Sequence, residues 1–144
     1  MKEVYLYKKL DNKKVRCQTC AHYCVVTPGK RGICGVRENR DGTLYALNYG
    51  KIIACHIDPI EKKPFFHFLP GTFSYSIATV GCNYDCQNCQ NWDISQAPKI
   101  HSHREILGED FRPEEIVKEA IKNNCPSIAY TYTEPTIFLE FALD

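Results

Sequence analysis

Three cysteines in one short loop are the residues best suited to chemistry. Cys82, Cys86 and Cys89 have the spacing Cys-x3-Cys-x2-Cys, directly after a strand-like run. Thiolates this close together can face a single cuboidal iron–sulfur cluster, for which a ferredoxin-type run would supply a fourth cysteine close behind. The next cysteine here is Cys125, 36 residues after Cys89. The spacing therefore predicts a 4Fe–4S cluster with one open iron, and an open position is typical of a catalytic metal site. The alternative is a zinc site that a distant residue completes, for instance His101 or His103.

A second group of cysteines lies near the N-terminus. Four thiols fall within 18 residues, at Cys17, Cys20, Cys24 and Cys34. Four thiolates can close a tetrahedral zinc site or hold a second iron–sulfur cluster, and His22 could replace one of them. The spacing does not decide between zinc and iron, and four reduced cysteines without a metal are the alternative.

Composition favours metal sites over disulfides. The chain has nine cysteines, an odd number, and its N-terminal segment has no apolar signal-like region. Clustered cysteines of this kind indicate metal binding in a reducing compartment, so we expect a cytoplasmic protein. The formal charge is +1, which gives no support for a nucleic-acid or membrane-surface partner. No apolar run is long enough to span a membrane.

Strands and helices alternate around the cysteine loop. We predict strands at 73–80 and 127–132, because both are rich in β-branched and aromatic residues. Pro113 opens a predicted helix that runs to about Lys122, and another helix begins at Thr136. Residues 92–112 are predicted to be irregular. This alternation favours an α/β fold with a parallel sheet.

The first half of the chain is predicted to be less regular. Asp41-Gly42 indicates a hairpin between two short strands. Residues 50–71 contain X-Pro and Pro-Gly steps that indicate an irregular wrap. We therefore divide the chain into a Cys-rich accessory segment, 1–72, and a βαβα portion, 73–144. The sequence ends within a predicted helix, so we interpret it as the front part of a larger protein.

Four stretches together resemble the radical S-adenosylmethionine superfamily, in the branch of the pyruvate formate-lyase activating enzymes and AmmeMemoRadiSam-type enzymes. They cover about half of the chain. They are CQTCAHYCVVTPGKRGICGVREN (17–39), DPIEKKPFFHFLPGT (58–72), TVGCNYDCQNCQNWDISQ (79–96) and AYTYTEPTIFLEF (129–141).

The resemblance implies a fold and a chemistry. The fold would be a partial (β/α) barrel after the accessory segment. The open iron would chelate S-adenosylmethionine, which one electron cleaves to methionine and a 5′-deoxyadenosyl radical that takes hydrogen from a substrate. The electron donor would be flavodoxin or ferredoxin, and a protein glycine is one candidate substrate. A chain of this length could be inactive alone, because later strands complete both sites in the family.

The resemblance also assigns cofactor-binding residues. Thr133 and Glu134 match the segment that contacts the methionine amino group. The alternative is that Thr133 is the N-cap of the next helix and Glu134 a carboxylate in its first turn. Asn91 is a candidate for a polar contact to the cofactor, or for a hydrogen bond to its own loop. The family usually has an aromatic residue just before the third cysteine, where this chain has Asn88. The stacking surface for adenine would then come from Tyr84 or Trp92.

Other interpretations come from different functional classes. One is a non-catalytic, zinc-stabilised interaction module, and another is a simple iron–sulfur electron carrier. A surface charge cluster is the default interpretation of Asp58, Glu61, Lys62 and Lys63, and contact with a substrate is the alternative.

Overall fold

The computed structural model describes residues 1–100 and 105–144. Within these residues the chain forms ten β-strands in three sheets, and three α-helices. The strands are β1 (Lys2–Glu3), β2 (Tyr7–Lys9), β3 (Val15–Cys17), β4 (Val25–Val26), β5 (Arg37–Arg40), β6 (Thr43–Ala46), β7 (Lys51–Pro59), β8 (Phe73–Thr79), β9 (Glu109–Asp110) and β10 (Ser127–Tyr130). The helices are α1 (Trp92–Ile100), α2 (Pro113–Lys122) and α3 (Leu139–Leu143), with 3-10 helices at Asp11–Lys13, Ile60–Lys62 and Pro135–Phe138.

Two small antiparallel sheets form most of the N-terminal segment. Their strand orders are β1-β6-β5 and β2-β3-β4. Asp41 and Gly42 join β5 to β6, with φ angles of 52° and 93°. Two positive φ angles in succession make the two-residue turn whose twist matches that of the flanking strands. The hairpin predicted at this dipeptide is confirmed.

The third sheet is mixed and carries the cysteine loop. Its order is β10-β8-β7-β9, with β10 parallel to β8 and the other two pairings antiparallel. The central strand β8 is buried from Ser74 to Thr79, because it has a neighbour on each edge and is covered on both faces.

The predicted partial radical S-adenosylmethionine (β/α) barrel is wrong. Such a barrel consists of parallel strands, each followed by a helix. Here the predicted irregular wrap contains the nine-residue strand β7, which pairs antiparallel with β8. Within the described residues the sheet stays open, with β9 at one edge and β10 at the other. The X-Pro step was misleading because Pro59 is the last residue of β7, where it ends the strand without interrupting it.

Three other predicted elements are confirmed. The structure has strands at Phe73–Thr79 and Ser127–Tyr130 and a helix at Pro113–Lys122.

The prediction that residues 92–112 are irregular is wrong, because this stretch contains α1 and β9. Helix α1 buries Ser95 and Gln96 beside Ala97 and Pro98, so its buried face lacks the apolar periodicity that reveals a helix.

One apolar cluster connects the two halves of the chain beside the cysteine loop. It contains Cys34, Val36, Val80, Ile137 and Phe138. The N-terminal segment therefore packs against the end of β8 and against the turn after β10. Strand β7 also joins residues of the predicted accessory segment to the sheet of the predicted βαβα portion.

Candidate metal centre

The cysteine loop begins at Gly81, where β8 ends. Gly81 has a φ of 92°, and a Cβ here would lie 2.6 Å from Val36 Cγ1 and 2.8 Å from the Cys34 carbonyl oxygen. Only glycine adopts this conformation in this space without displacing its neighbours. Its N–H donates to the Ile94 carbonyl of α1 at 3.0 Å.

Pro98 explains why that carbonyl is available. In an α-helix the N–H of residue 98 would donate to the carbonyl of residue 94, but proline has no N–H. The Ile94 carbonyl accepts from Gly81 instead. Helix α1 thus holds the first residue of the loop through the Ile94 carbonyl, which has no donor within the helix because residue 98 is proline.

The three cysteines predicted to bind the cluster line one cavity of about 770 Å³, together with Thr133 and Glu134. Cys82 is buried, Cys89 is half-buried and Cys86 is exposed. The loops come together because β8 and β10 are adjacent parallel strands, so the segments after their carboxyl ends emerge at the same edge of the sheet. The structure therefore joins two motifs that lie more than 40 residues apart in sequence.

The thiols of this loop are free, and those of Cys82 and Cys89 are hydrogen-bonded. All nine cysteines of the chain are unpaired. The Tyr84 N–H donates to Cys82 Sγ at 3.5 Å, and Cys89 Sγ lies 3.5 Å from Ser95 Oγ. Hydrogen bonds to ligating sulfur are one way in which proteins tune a metal cluster.

The Thr-Glu-Pro loop is held by its own hydrogen bonds. The Thr133 hydroxyl donates to the Thr79 carbonyl of β8 at 2.9 Å. Glu134 is the N-cap of the 3-10 helix Pro135–Phe138, because its Oε1 accepts from the Thr136 N–H and hydroxyl. The alternative that made Thr133 the N-cap is wrong in its residue, because the cap is Glu134. Both bonds end on Oε1, so the cap does not use Oε2.

Asn91 and Tyr84 also line the cavity, whereas Trp92 is outside its lining residues. Within the described residues the Asn91 side chain makes no hydrogen bond, and the contact to its own loop comes from its backbone carbonyl, which accepts from the Ser95 N–H. Tyr84 is 55% exposed. Of the two candidates for a stacking surface, the geometry favours Tyr84.

Cys17, Cys20, Cys24 and Cys34 line a separate cavity of about 20 Å³. Burial raises the pKa of the Cys34 thiol. His22, the candidate substitute ligand, has its Nε2 at 2.8 Å from the Asn83 carbonyl oxygen. The structure therefore uses His22 to connect this segment to the loop of Cys82.

Asp58 contacts three residues that line the large cavity. A surface charge cluster is its default interpretation from the sequence, with contact to a substrate as the alternative, but only 5% of it is exposed. Its carboxylate accepts from Lys62 Nζ, Lys63 Nζ and the Tyr132 hydroxyl, each at 2.7 Å. Both lysines and Tyr132 line the large cavity. The available signal was the Asp-x3-Lys-Lys spacing, which lets one carboxylate reach two ammonium groups across a 3-10 turn.

The side chains as placed do not form a complete coordination sphere. Within residues 1–100 and 105–144, no three His, Cys, Asp or Glu side chains are close enough to hold one metal ion. His101 and His103, the alternative zinc ligands, lie outside the described residues. A cuboidal cluster places each thiolate on a different iron, so its cysteine sulfurs are farther apart than those around a single ion.

In the part of the chain that the structure describes, no helix has the length and apolar character required to cross a membrane.

Two curated relatives come from the archaeon Methanocaldococcus jannaschii. Over its whole length of 144 residues, the chain is 53% identical to the uncharacterized protein MJ0808, and it spans 42% of that protein. Over 81 residues, 56% of the chain, it is 35% identical to the uncharacterized protein MJ0674, and the match spans 19% of that protein. No model of a known protein family matches the chain, and no solved structure matches it. The comparisons therefore show close sequence relatives, and the resemblance to the radical S-adenosylmethionine superfamily stays a prediction.

Proposed function

We propose that this chain carries the cofactor site of a radical S-adenosylmethionine enzyme. Cys82, Cys86 and Cys89 would hold a 4Fe–4S cluster, and Thr133 and Glu134 would contact the methionine part of S-adenosylmethionine. The proposal depends on the site and not on a barrel fold, because the same chemistry can be placed on different architectures.

The observation that carries the proposal is the shared cavity of about 770 Å³. A volume of this size is typical of small-molecule and cofactor sites. It contains three free thiols, a carboxylate and an amide from two loops that the parallel pair β8–β10 places at one edge. A zinc-stabilised interaction module has no need of such a cavity beside three thiols, because structural zinc sites are closed.

The donor set also fits the group chemically. Thiolates are the ligands that iron–sulfur clusters use, and three of them leave one iron of a 4Fe–4S cluster for another ligand. When bound, the cluster supplies the electron that cleaves the sulfonium bond of S-adenosylmethionine, so that the released radical removes hydrogen from a substrate.

The residues of the chain would bind and orient the cofactors. A Glu134 carboxylate whose Oε2 is not used by the cap can accept charge-assisted hydrogen bonds from an ammonium group. The free Asn91 amide can donate to a carboxylate or to the ribose, and Tyr84 offers a face to the adenine. Reduced flavodoxin or ferredoxin is the proposed electron donor, and a protein glycine is one candidate substrate. Because all nine cysteines are free, we place the enzyme in the reducing cytoplasm.

Anaerobic reconstitution of the chain with iron and sulfide tests the proposal. We expect about four irons and four sulfides per chain, and a visible absorption band that dithionite bleaches. Addition of S-adenosylmethionine should change the electron paramagnetic resonance spectrum of the reduced cluster. Replacing Cys82, Cys86 and Cys89 by alanine should remove both signals, whereas Cys55→Ser is the matched control, since Cys55 lies outside this cavity.

The possible results separate the three functional classes. A spectrum that does not respond to S-adenosylmethionine indicates an electron carrier. A colourless chain that binds only zinc indicates the interaction module. Either result would contradict the proposed function, as would an iron content that replacing the three cysteines does not lower.

A further inference from the structure

We infer that Cys17, Cys20, Cys24 and Cys34 bind a single Zn²⁺ ion in a closed site, and not a second iron–sulfur cluster. This inference concerns another part of the chain and is independent of the proposed function. It rests on the size of the cavity between the thiols, on the buried N–H of Arg37 that has no acceptor within the described residues, and on the presence of four thiols.

The cavity that the four thiols share has room for one ion. Its volume is about 20 Å³, against about 770 Å³ for the cavity beside the other cysteine group. A cuboidal cluster has eight iron and sulfide atoms and needs several times that space. The cysteine side chains have to rotate inward to coordinate an ion, because as placed they form no complete site within the described residues.

The backbone already brings these cysteines together. The Cys17 N–H donates to the Cys24 carbonyl at 2.9 Å. This hydrogen bond joins the two ends of the segment that carries the first three cysteines. Gly32 brings the segment of Cys34 close, since a Cβ on Gly32 would lie 3.6 Å from Cys24 Sγ. Cys17 and Cys34 are both buried. The four thiols therefore line the cavity from two stretches of chain.

Arg37 provides an independent indication of an anionic group. It lines the same cavity and is 2% exposed. Its Nη atoms donate to Glu140 and to the Ile137 carbonyl, but within the described residues its buried Nε has no acceptor. A buried N–H without a partner destabilises the folded state, because the group has lost its hydrogen bond to water. Four thiolates on Zn²⁺ carry a net charge of −2, and their sulfur atoms are suitable acceptors for this N–H.

Four thiolates also complete the tetrahedral shell of zinc, which is typical of a structural site. On binding, the thiols release their protons to solvent and form four Zn–S bonds, with no change of oxidation state. His22 lies between two of these ligands and contacts the Asn83 carbonyl next to Cys82. A zinc ion here would therefore fix the segment that supports the loop of the candidate cluster site.

Metal titration under anaerobic conditions tests the inference. The purified chain is stripped with a chelator and titrated with Co²⁺, and the bound Co²⁺ is then displaced with Zn²⁺. We expect one tightly bound Co²⁺ with the spectrum of a tetrahedral tetrathiolate site, which one equivalent of Zn²⁺ removes. Cys20→Ser should weaken zinc binding at least about 100-fold, and Cys86→Ser, in the other cysteine group, should leave it unchanged.

Each result has a defined consequence. Tight zinc binding that survives Cys20→Ser, or that Cys86→Ser removes, overturns the inference. So does a reconstituted Cys82→Ala/Cys86→Ala/Cys89→Ala chain that retains iron and sulfide, because the group of clustered cysteines that remains is the N-terminal one. If Cys20→Ser does not fold, as judged by circular dichroism, Cys24→Ser replaces it. A chain that binds zinc but never assembles a cluster supports the inference and contradicts only the proposed function.

Discussion

At the scale of single residues, the Asp58 carboxylate shows how strongly local contacts determine ionisation. Its burial opposes ionisation, but the hydrogen bonds from Lys62, Lys63 and Tyr132 outweigh burial, so that the pKa of Asp58 lies well below its usual value of 3.8. The same contacts hold Lys63, which is only 11% exposed, against the wall of the cavity. Asp58 thus positions Lys62 and Lys63 at the wall of the large cavity.

Asp58→Asn should destabilise the protein by about 2 kcal/mol at pH 7, because hydrogen bonds to a charged group are lost and Lys63 remains buried without its counter-ion. Since the folded-state pKa is lowered, the contribution of Asp58 is complete above about pH 4 and is lost as the pH falls further. The difference between native protein and variant in denaturant unfolding should therefore shrink below about pH 4.

The control for this experiment is Asp41→Asn. Asp41 pairs with Lys13 at 2.6 Å, but both side chains are well exposed, so its replacement should cost at most about 0.5 kcal/mol. A deficit for Asp58→Asn that is no larger than that of Asp41→Asn, or that is the same at pH 3 as at pH 7, would refute the role assigned to Asp58.

At the scale of elements, the path of the cysteine loop is set by two residues that carry no chemistry. Gly81 turns the chain where no side chain fits, and Pro98 leaves open the α1 carbonyl that receives the Gly81 N–H. The position of Cys82 thus depends on β8, α1 and the N-terminal segment together. A loop held by three elements keeps its ligands in one geometry, which a metal site requires.

Gly81→Ala should lower the free energy of unfolding by about 3 kcal/mol, because a strained φ and an overpacked Cβ act together. It should also reduce the iron content after reconstitution. Gly71→Ala is the matched control: Gly71 has a φ of 75°, but nothing lies within 4 Å of its Cβ position, so we expect a loss of about 1 kcal/mol. Equal losses in the two variants would show that contact with Val36 and Cys34 does not constrain the loop.

The same elements show what the sequence could predict. Strand β8, strand β10 and helix α2 have local sequence signals that agree with their positions in the structure. The cysteine loop and the Thr-Glu-Pro loop are adjacent because β8 and β10 pair in parallel. The antiparallel partner β7 was missed because its pairing is set by contacts between distant residues, and its Pro59 resembled a breaker. Helix α1 was missed because its buried face is polar. The prediction therefore succeeded for these three elements and failed for the sheet topology, and the assignment of the site motifs stays a prediction.

At the scale of the whole molecule, a buried ion pair joins the N-terminal segment to the last helix. Arg37 in β5 and Glu140 in α3 are 103 residues apart, and their side chains meet at 2.8 Å with 3% and 0% exposure. Arg37 also donates to the Ile137 carbonyl, directly after the Thr-Glu-Pro loop. The pair thus connects the N-terminal segment, the candidate zinc site and one wall of the large cavity.

Glu140→Gln should therefore destabilise the whole molecule and not one segment. Removal of one partner from a buried ion pair costs about 3–5 kcal/mol, because the other charge stays buried without compensation. The exposed counterpart, Glu119→Gln, breaks the pair with Lys122 and should cost about 0.5 kcal/mol or less. Hydrogen exchange can follow the amides of β6 and β8 separately, so it reports on residues 1–72 and 73–144 in one experiment. If the two segments unfold as one unit, Glu140→Gln lowers the protection of both strands by the same free energy. If they are independent domains, as the predicted boundary at residue 72 implies, the two strands lose different amounts and the ion pair is only a contact between them.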